Sequence, residues 1–400
     1  MKLAALVLVC LALATRGRAA EVAASPSAAL APAPGVHDLQ PPPPASATKC
    51  IKCKSLGRLP CGEHAAADCE WELEVLYCSH IAGCAVCSGV GWIDCPECDM
   101  PEVLQWISDR KLKITARKGA LKYIDDAMQR EVRKGETPHA VVVWEMEEMK
   151  VEKRRLPPHE MLHLYLRRLE TLYTDFSTRL QVNDRLFAHK PDIYIWRLPD
   201  DHQRAGTALC SQNASGGVKL MGPTPRYTVC GNKQHFQDDE KLHRNIVHST
   251  SHLLLSCLAP PGWIGNIKGG WMDEGLAHFF EDRYWSICDT YCYQEQNTNV
   301  DFKGGKYRLA VRKLVTEGTA PSLSELFQQN TDTLTLPMHA VAMSICDYLI
   351  NQDGAKFYEL SKKLKAKVPT GEALQQVYGM RPLELEAVWK SYVLSTYPTR

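Results

Sequence analysis

The sequence predicts an α+β fold: a small cysteine-rich module, then a larger domain that combines a mixed sheet with a helical C-terminal half. Three observations support this prediction. Nine of the 16 cysteines lie between residues 50 and 98. Segments rich in β-branched and aromatic residues, typical of strands, occur at 139–147, 192–198 and 226–230. From residue 239 onward, the apolar residues follow a helical spacing almost throughout.

Composition and charge restrict the class of protein. Hydrophobic residues make up 45% of the 400-residue chain and charged residues 23%, which are ordinary values for a globular protein and exclude a fully disordered chain. Lysine and arginine number 47 against 46 acidic residues, for a net charge of +1. Such a chain has no overall positive field to hold nucleic acid or an anionic membrane, so neither partner is expected.

The first 20 residues have the three parts of an export signal. Lys2 supplies the positive charge, residues 3–13 the apolar segment, and Ala19-Ala20 the small residues at its exit. Cys10 follows Val9 inside the apolar segment, whereas a lipidated cysteine follows a small residue, so a lipoprotein is not expected. No later stretch has the roughly 18 continuous apolar residues of a membrane span. We therefore expect a secreted or periplasmic protein without a membrane span once the signal is removed.

The remaining chain divides by composition into three parts. Residues 21–48 are mostly alanine, proline and serine, and they predict a semi-rigid linker. Residues 49–100 form the cysteine-rich module and residues 101–400 the large domain. Helical periodicity, capping residues and prolines predict the helices of the large domain. They are expected at 101–134, 157–180, 239–257, 273–285, 302–317, 338–351, 354–365 and 382–394.

The cysteine-rich module contains an internal repeat. Its first half has the pattern CxxC, seven residues, CxxH, and its second half has CxxC, seven residues, CxxC. Each such turn presents two ligands to one metal, so two turns complete a tetrahedral zinc site. Eight ligands in four pairs therefore predict two structural zinc ions. The ligands are Cys50, Cys53, Cys61, His64, Cys84, Cys87, Cys95 and Cys98.

A disulfide-rich module is the alternative, because an exported protein meets an oxidising environment. The matched spacing and the histidine at position 64 favour zinc, since histidine binds zinc but cannot enter a disulfide. Cys69 and Cys78 stand outside the repeat and are candidates for one disulfide. The large domain holds six further cysteines, an even number that suits three bridges. They are Cys210, Cys230, Cys257, Cys288, Cys292 and Cys346.

The segment Cys84-Ala-Val-Cys87-Ser-Gly-Val-Gly91 resembles the CxxCxGxG repeat of the DnaJ-type zinc-finger domain. The likeness covers the module only, and Ser55 stands where the first repeat of that family has its first glycine. The resemblance implies a structural or protein-contacting role for the module rather than a catalytic one. A protein or peptide ligand is therefore the expected partner.

Two histidine pairs in the large domain have the i, i+4 spacing that places both rings on one face of a helix. The first pair is His159-Glu-Met-Leu-His163, a literal HExxH at the start of its helix. No acidic third ligand follows at a useful distance, and Glu160 suits a solvated first turn, where negative charge is favourable. We interpret this pair as a chance match. If it bound zinc instead, Glu160 would be the candidate base of an active peptidase.

The second pair, His248 and His252, lies in a segment with apolar flanks, and 21 residues separate His252 from Glu274 in the next predicted helix. Two histidines from one helix and a glutamate from the next leave a fourth zinc position open for water, as catalytic zinc sites do. These three residues predict at most one further zinc ion, outside the module. His278 and Glu281 share a helix face with Glu274 and are candidates for a ligand or supporting role.

This stretch resembles the gluzincin metallopeptidases, which carry HExxH on one helix and a third ligand on a following W-x-N/D-E-G-x-A-x-x-x-E helix. Here the second helix reads Trp271-Met-Asp-Glu-Gly-Leu-Ala-His-Phe-Phe-Glu281. The peptidase MA-like group of exported bacterial proteins is the most similar, more loosely over about residues 115–397. The resemblance implies a zincin-like fold for residues 101–400. It also implies that His248, His252 and Glu274 are metal ligands, while Asp273 should point to a different side of its helix.

The departure from this family concerns the catalytic base. Gluzincins use the glutamate after the first histidine to take a proton from the zinc-bound water, and this chain has Ser249 there. A hydroxyl is no base near neutral pH, and losing a positioned base costs ~10²–10⁴ in rate. The first hypothesis is therefore a pseudopeptidase, or a very weak peptidase, that binds partners. The second is an active zinc-dependent endo- or aminopeptidase that uses another base.

Overall fold

The computed structural model describes residues 49–63, 75–98, 100–213, 215–231, 236, 238–292 and 302–399. All of them belong to one compact unit of the chain. The predicted signal, the linker, His64 and Cys69 lie outside the described residues. No described helix is both long enough and apolar enough to cross a membrane.

The described residues combine short strands with a larger number of helices, which confirms the α+β prediction. The strands are β1 (Arg58–Pro60), β2 (Tyr77–Cys78), β3 (Trp92–Asp94), β4 (Lys134–Glu136), β5 (Val141–Glu145), β6 (Met149–Val151), β7 (Arg154–Leu156), β8 (Asp192–Trp196), β9 (Val218–Leu220) and β10 (Arg226–Cys230). The helices are α1 (Ser79–Ala82), α2 (Pro101–Ala120), α3 (Lys122–Met128), α4 (Pro158–Leu180), α5 (Pro199–Cys210), α6 (Asp239–Cys257), α7 (Gly270–Trp285), α8 (Tyr307–Glu317), α9 (Leu323–Leu326), α10 (Leu336–Gln352), α11 (Gly354–Lys365), α12 (Thr370–Tyr378) and α13 (Pro382–Thr396).

The central sheet has six strands in the order β2-β4-β5-β8-β10-β9. β5, β8 and β10 run parallel, and the outer strands join antiparallel, so the sheet is mixed as expected. β2 belongs to the cysteine-rich part of the sequence, and its Tyr77 lies opposite Glu136 of β4. The cysteine-rich part therefore contributes an edge strand to the sheet of the large domain.

Helices cover both faces of this sheet. In β5 the side chains alternate: Val142 and Trp144 pack with apolar residues of α4 and α6, whereas Val141 and Val143 pack with those of α2, α3 and α5. A continuous apolar strand is typical of a sheet buried on both sides. This three-layer arrangement holds α6 against the sheet along one buried face.

The C-terminal half is a helical layer in which α7 packs against both α6 and α10. Trp271, Leu276 and Phe280 of α7 are buried in its core. The closest approach is at Gly275, where an added Cβ would lie 2.6 Å from the carbonyl oxygen of Ala342 and 2.8 Å from Cys346 Sγ. Only glycine fits here, because such distances are shorter than real contacts. The glycine next to Glu274 therefore lets α10 approach the buried end of α7.

Candidate metal centres

The cysteine pairs of the module meet through a short antiparallel ribbon of β1 and β3. Backbone hydrogen bonds of 2.9 Å run from Cys95 N to the carbonyl oxygen of Gly57 and from Cys61 N to that of Gly91. Because β1 follows the first CxxC turn and β3 precedes the last one, their pairing brings these two turns together. The two middle turns are brought together at the opposite end of the ribbon.

Two groups of thiols result. Cys50, Cys53, Cys95 and Cys98 have all their Sγ atoms within 4.8 Å of one another, with Cys53 and Cys98 at 3.2 Å and Cys50 and Cys95 at 3.9 Å. Disulfide-bonded sulfurs would lie about 2.05 Å apart, whereas thiolates around one zinc ion, each at about 2.3 Å, lie about 3.8 Å apart. The geometry fits a metal site better than it fits bridges.

The second group contains Cys61, Cys84 and Cys87, with Cys61 and Cys84 Sγ 3.9 Å apart. The predicted fourth ligand, His64, lies outside the described residues. Both groups could therefore hold metal ions, and the turns combine first with fourth and second with third. No disulfide links the described cysteines of the module to one another, and Cys69, the predicted partner of Cys78, is not described.

The pairing of the first turn with the fourth, and of the second with the third, is a crossed pairing. It predicts which losses of zinc are additive. Cys53→Ser and Cys98→Ser should each lower the zinc content by one ion, and the double variant should also lose only one, because both residues serve the same ion. Cys53→Ser combined with Cys87→Ser should lose two. Elemental analysis of the purified chain measures this, with Cys210→Ser as a control that keeps all zinc. Additive loss in the first double variant would contradict the crossed pairing.

A third group lies between α6 and α7. His248 Nε2 and His252 Nε2 are 3.1 Å apart, and Cys292 Sγ lies 3.3 Å and 3.2 Å from them. Glu274 oxygens lie 3.6 Å from His248 Nε2 and 3.8 Å from His252 Nε2. Zinc bonds of 2.0–2.3 Å imply separations of about 3.3–3.7 Å between tetrahedral ligands, so the four groups are spaced for one ion.

The second nitrogen of each histidine contacts a buried carboxylate. His248 Nδ1 lies 3.1 Å from Glu281, and His252 Nδ1 lies 2.9 Å from Asp273. His252 Nδ1 has no hydrogen-bond partner among the described residues in spite of this approach, and the Nε2 atoms of the two rings face each other at 3.1 Å, a spacing that suits two ligands of one cation. Neither oxygen of Glu274, which is fully buried, has a hydrogen-bond partner among the described residues. The residues present therefore fit a metal ion.

The pKa values of His248 and Glu274 favour their metal-binding forms, whereas Asp273 and Cys292 outweigh burial and raise the pKa of His252 well above its usual range, so that zinc would have to displace a proton there. Burial lowers the pKa of His248 to about 4, which keeps the ring neutral at physiological pH. Burial alone would raise the pKa of Glu274, but His339 and His252 outweigh it and hold that pKa well below its usual range. A neutral imidazole and an ionised carboxylate are the forms that bind zinc.

The structure brings together the three predicted ligands His248, His252 and Glu274, and it adds two features that sequence reasoning missed. The first is Cys292 Sγ, a fourth potential ligand in a group for which the sequence predicted only three. The second is Asp273, whose carboxylate lies 2.9 Å from His252 Nδ1 and accepts a hydrogen bond from Trp263 Nε1 at 2.8 Å.

Ser249 occupies the position of the gluzincin base and is buried, and its hydroxyl has no hydrogen-bond partner among the described residues. The neighbouring carboxylates of Asp273 and Glu281 are each engaged with a histidine. Both of these carboxylates are therefore engaged elsewhere than at the position of the missing glutamate.

The HExxH at the start of α4 is not part of a metal group among the described residues. His163 Nε2 lies 3.3 Å from Cys78 Sγ, and the ring of His159 stacks on His80 with a centroid distance of 4.2 Å. Glu160 lies 3.6 Å from Arg154. The three side chains of the motif therefore contact different neighbours.

The prediction of three disulfides in the large domain is wrong, because all six cysteines carry free thiols. The fold gives each thiol other neighbours. Cys230 Sγ donates to the carbonyl oxygen of Arg197, Cys288 Sγ to that of His278, and Cys292 Sγ joins the histidine group. The even number of cysteines was therefore misleading.

Comparisons with protein-family models and with curated proteins each found no match to this chain. The metal-binding interpretation consequently rests on the geometry of these three groups.

Proposed function

We propose that this chain is an exported, zinc-binding pseudopeptidase of the gluzincin (peptidase MA-like) type, which binds a protein or peptide partner instead of cleaving it. The observation that carries the proposal is Cys292 Sγ, which lies 3.2–3.3 Å from the Nε2 atoms of His248 and His252. Together with Glu274 it would complete a set of four protein ligands, which is typical of structural rather than catalytic zinc.

The missing base supports the same conclusion. In a peptidase, zinc polarises a water molecule and a carboxylate takes its proton. With Cys292 as a ligand, its thiol would take the coordination position that water needs, and Ser249 supplies no proton acceptor. Two independent requirements of hydrolysis would then be unmet. His248, His252, Glu274 and Cys292 would hold the ion, in addition to two structural ions in the cysteine-rich part.

The proposed partner is supported by exposed apolar side chains at the metal turns of the cysteine-rich part. Ile51, between Cys50 and Cys53, is 95% exposed, and Val86, between Cys84 and Cys87, is 50% exposed. Rigid turns that present large apolar side chains to solvent are suited to a protein or peptide surface.

A protease assay on the zinc-loaded wild-type chain tests the proposal. With a mixed unfolded-protein substrate, we expect no cleavage above that of the chelator-treated protein. Robust cleavage that a chelator and His252→Ala both abolish would overturn the proposal. Fragment analysis by mass spectrometry separates such cleavage from a contaminating protease, which His252→Ala would leave unchanged.

A further inference from the structure

A second group of potential ligand atoms shares Glu274 with the first. His278 of α7 and His339 of α10 are both buried, and their facing atoms, Nε2 and Nδ1, are 3.1 Å apart. Glu274 Oε2 lies 3.6 Å from the first of these atoms and 3.5 Å from the second. The three atoms form a nearly regular triangle.

The sides of this triangle match ligand spacing better than hydrogen bonding. Zinc bonds of 2.0–2.1 Å imply tetrahedral ligand separations of about 3.4 Å. Glu274 Oε2, by contrast, is too far from either nitrogen for a normal hydrogen bond, and it has no hydrogen-bond partner among the described residues. A buried carboxylate oxygen in this position needs a cation.

The buried charges around this group also favour a second cation. If the thiol of Cys292 is ionised, its negative charge is balanced by Lys219, whose Nζ lies 3.3 Å from Sγ. Three buried carboxylates remain, Asp273, Glu274 and Glu281, and within the described part of the chain no lysine or arginine forms an ion pair with them. One divalent ion leaves one negative charge uncompensated, which is costly in a buried site.

A proton would satisfy the facing atoms of Glu274, His278 and His339 less completely than a metal ion. His278 Nδ1 lies 2.7 Å from Glu281, so its hydrogen is already directed there. A proton on Nε2 of the same ring would be shared with His339 Nδ1 at 3.1 Å and would leave Glu274 Oε2 unpartnered. A metal ion inside the triangle contacts all three atoms at once.

We propose that Glu274, His278 and His339 bind a second divalent transition-metal ion, of which zinc is the first candidate. The proposal extends the proposed function, because Glu274 would then bridge this ion and the one at His248 and His252. Three protein ligands leave one position of the second ion without a protein ligand. This site is distinct from the closed one that contains Cys292.

Zinc stoichiometry tests the proposal. Metal-free wild-type protein is titrated with zinc, freed of excess metal and subjected to elemental analysis. We expect four ions per chain: two in the cysteine-rich part, one at the site of Cys292 and one at His339. His339→Ala should hold three. His202→Ala removes another buried histidine, one bonded to Thr228 and Gly216, and should still hold four.

The possible failures are distinguishable. Three ions in the wild type, lowered to two by His252→Ala, would overturn the second site and leave the proposed function standing. Two ions in the wild type would remove both. Four ions in the wild type that persist in His339→Ala would place the extra ion elsewhere and also overturn the inference. If His339→Ala does not fold, His339→Gln replaces it in the same comparison.

Discussion

Combining Ser249→Glu with Cys292→Ala should raise peptide hydrolysis by ~10²-fold or more over the wild-type chain, within the usual range for a restored general base. The first change places a carboxylate where gluzincins have their base. The second removes the sulfur that lies at the fourth position of the His248, His252 and Glu274 group. Water can then reach the ion, and a proton acceptor lies beside it. The rate is measured on a short chromogenic peptide at matched zinc content.

The single variants show whether hydrolysis needs both the restored base and the access of water to the ion. Ser249→Glu alone should remain close to the wild type, although it restores the carboxylate that gluzincins use as a base, because the thiol still excludes water. Cys292→Ala alone opens the position without supplying a base and should also remain slow. A full gain from Ser249→Glu alone would show that Cys292 is not a ligand in solution.

His252→Ala should remove one zinc ion from this centre and lower the free energy of unfolding by about 3–5 kcal/mol, the usual cost of leaving buried charges uncompensated. Asp273 and Glu274 would remain buried without the ring that faces them. Denaturant unfolding and elemental analysis measure the two effects. A chelator should bring the wild type towards the stability of the variant.

His163→Ala is the matched comparison, since it also removes a buried histidine at the end of an i, i+4 pair. Its Nε2 faces Cys78 rather than a metal group, so the zinc content should not change. If His163→Ala lost zinc and His252→Ala did not, the metal site would move to His159 and His163, and Glu160 would become a candidate base.

The helices and strands that the sequence predicts most accurately are those in which several local signals agree. The bounds of α6 match the prediction because Asp238 caps its first turn and apolar residues continue to Cys257. The parallel strands β5, β8 and β10 also match, since their apolar residues leave few other structures possible. The predicted helix 101–134 instead divides at Leu121 into α2 and α3. Short elements such as β9 and α5 carry too weak a pattern to be recognised.

The centre itself depended on contacts that no local pattern contains. Cys292 meets His248 only because the chain after α7 returns to α6, a separation of 44 residues. Asp273 reaches the same centre as Glu274, although adjacent residues point to different sides of a helix, because His252 offers nitrogens on two sides of its ring. His339 joins through the close approach of α10 at Gly275.

Diffraction at the zinc absorption edge, from crystals of the zinc-loaded wild-type chain, would show directly whether one zinc ion has four protein ligands between α6 and α7. We expect an anomalous peak bonded to His248 Nε2, His252 Nε2, a Glu274 oxygen and Cys292 Sγ, with a zinc–sulfur distance of about 2.3 Å. A peak with water in place of Cys292, or no peak between the two histidines, would contradict this expectation.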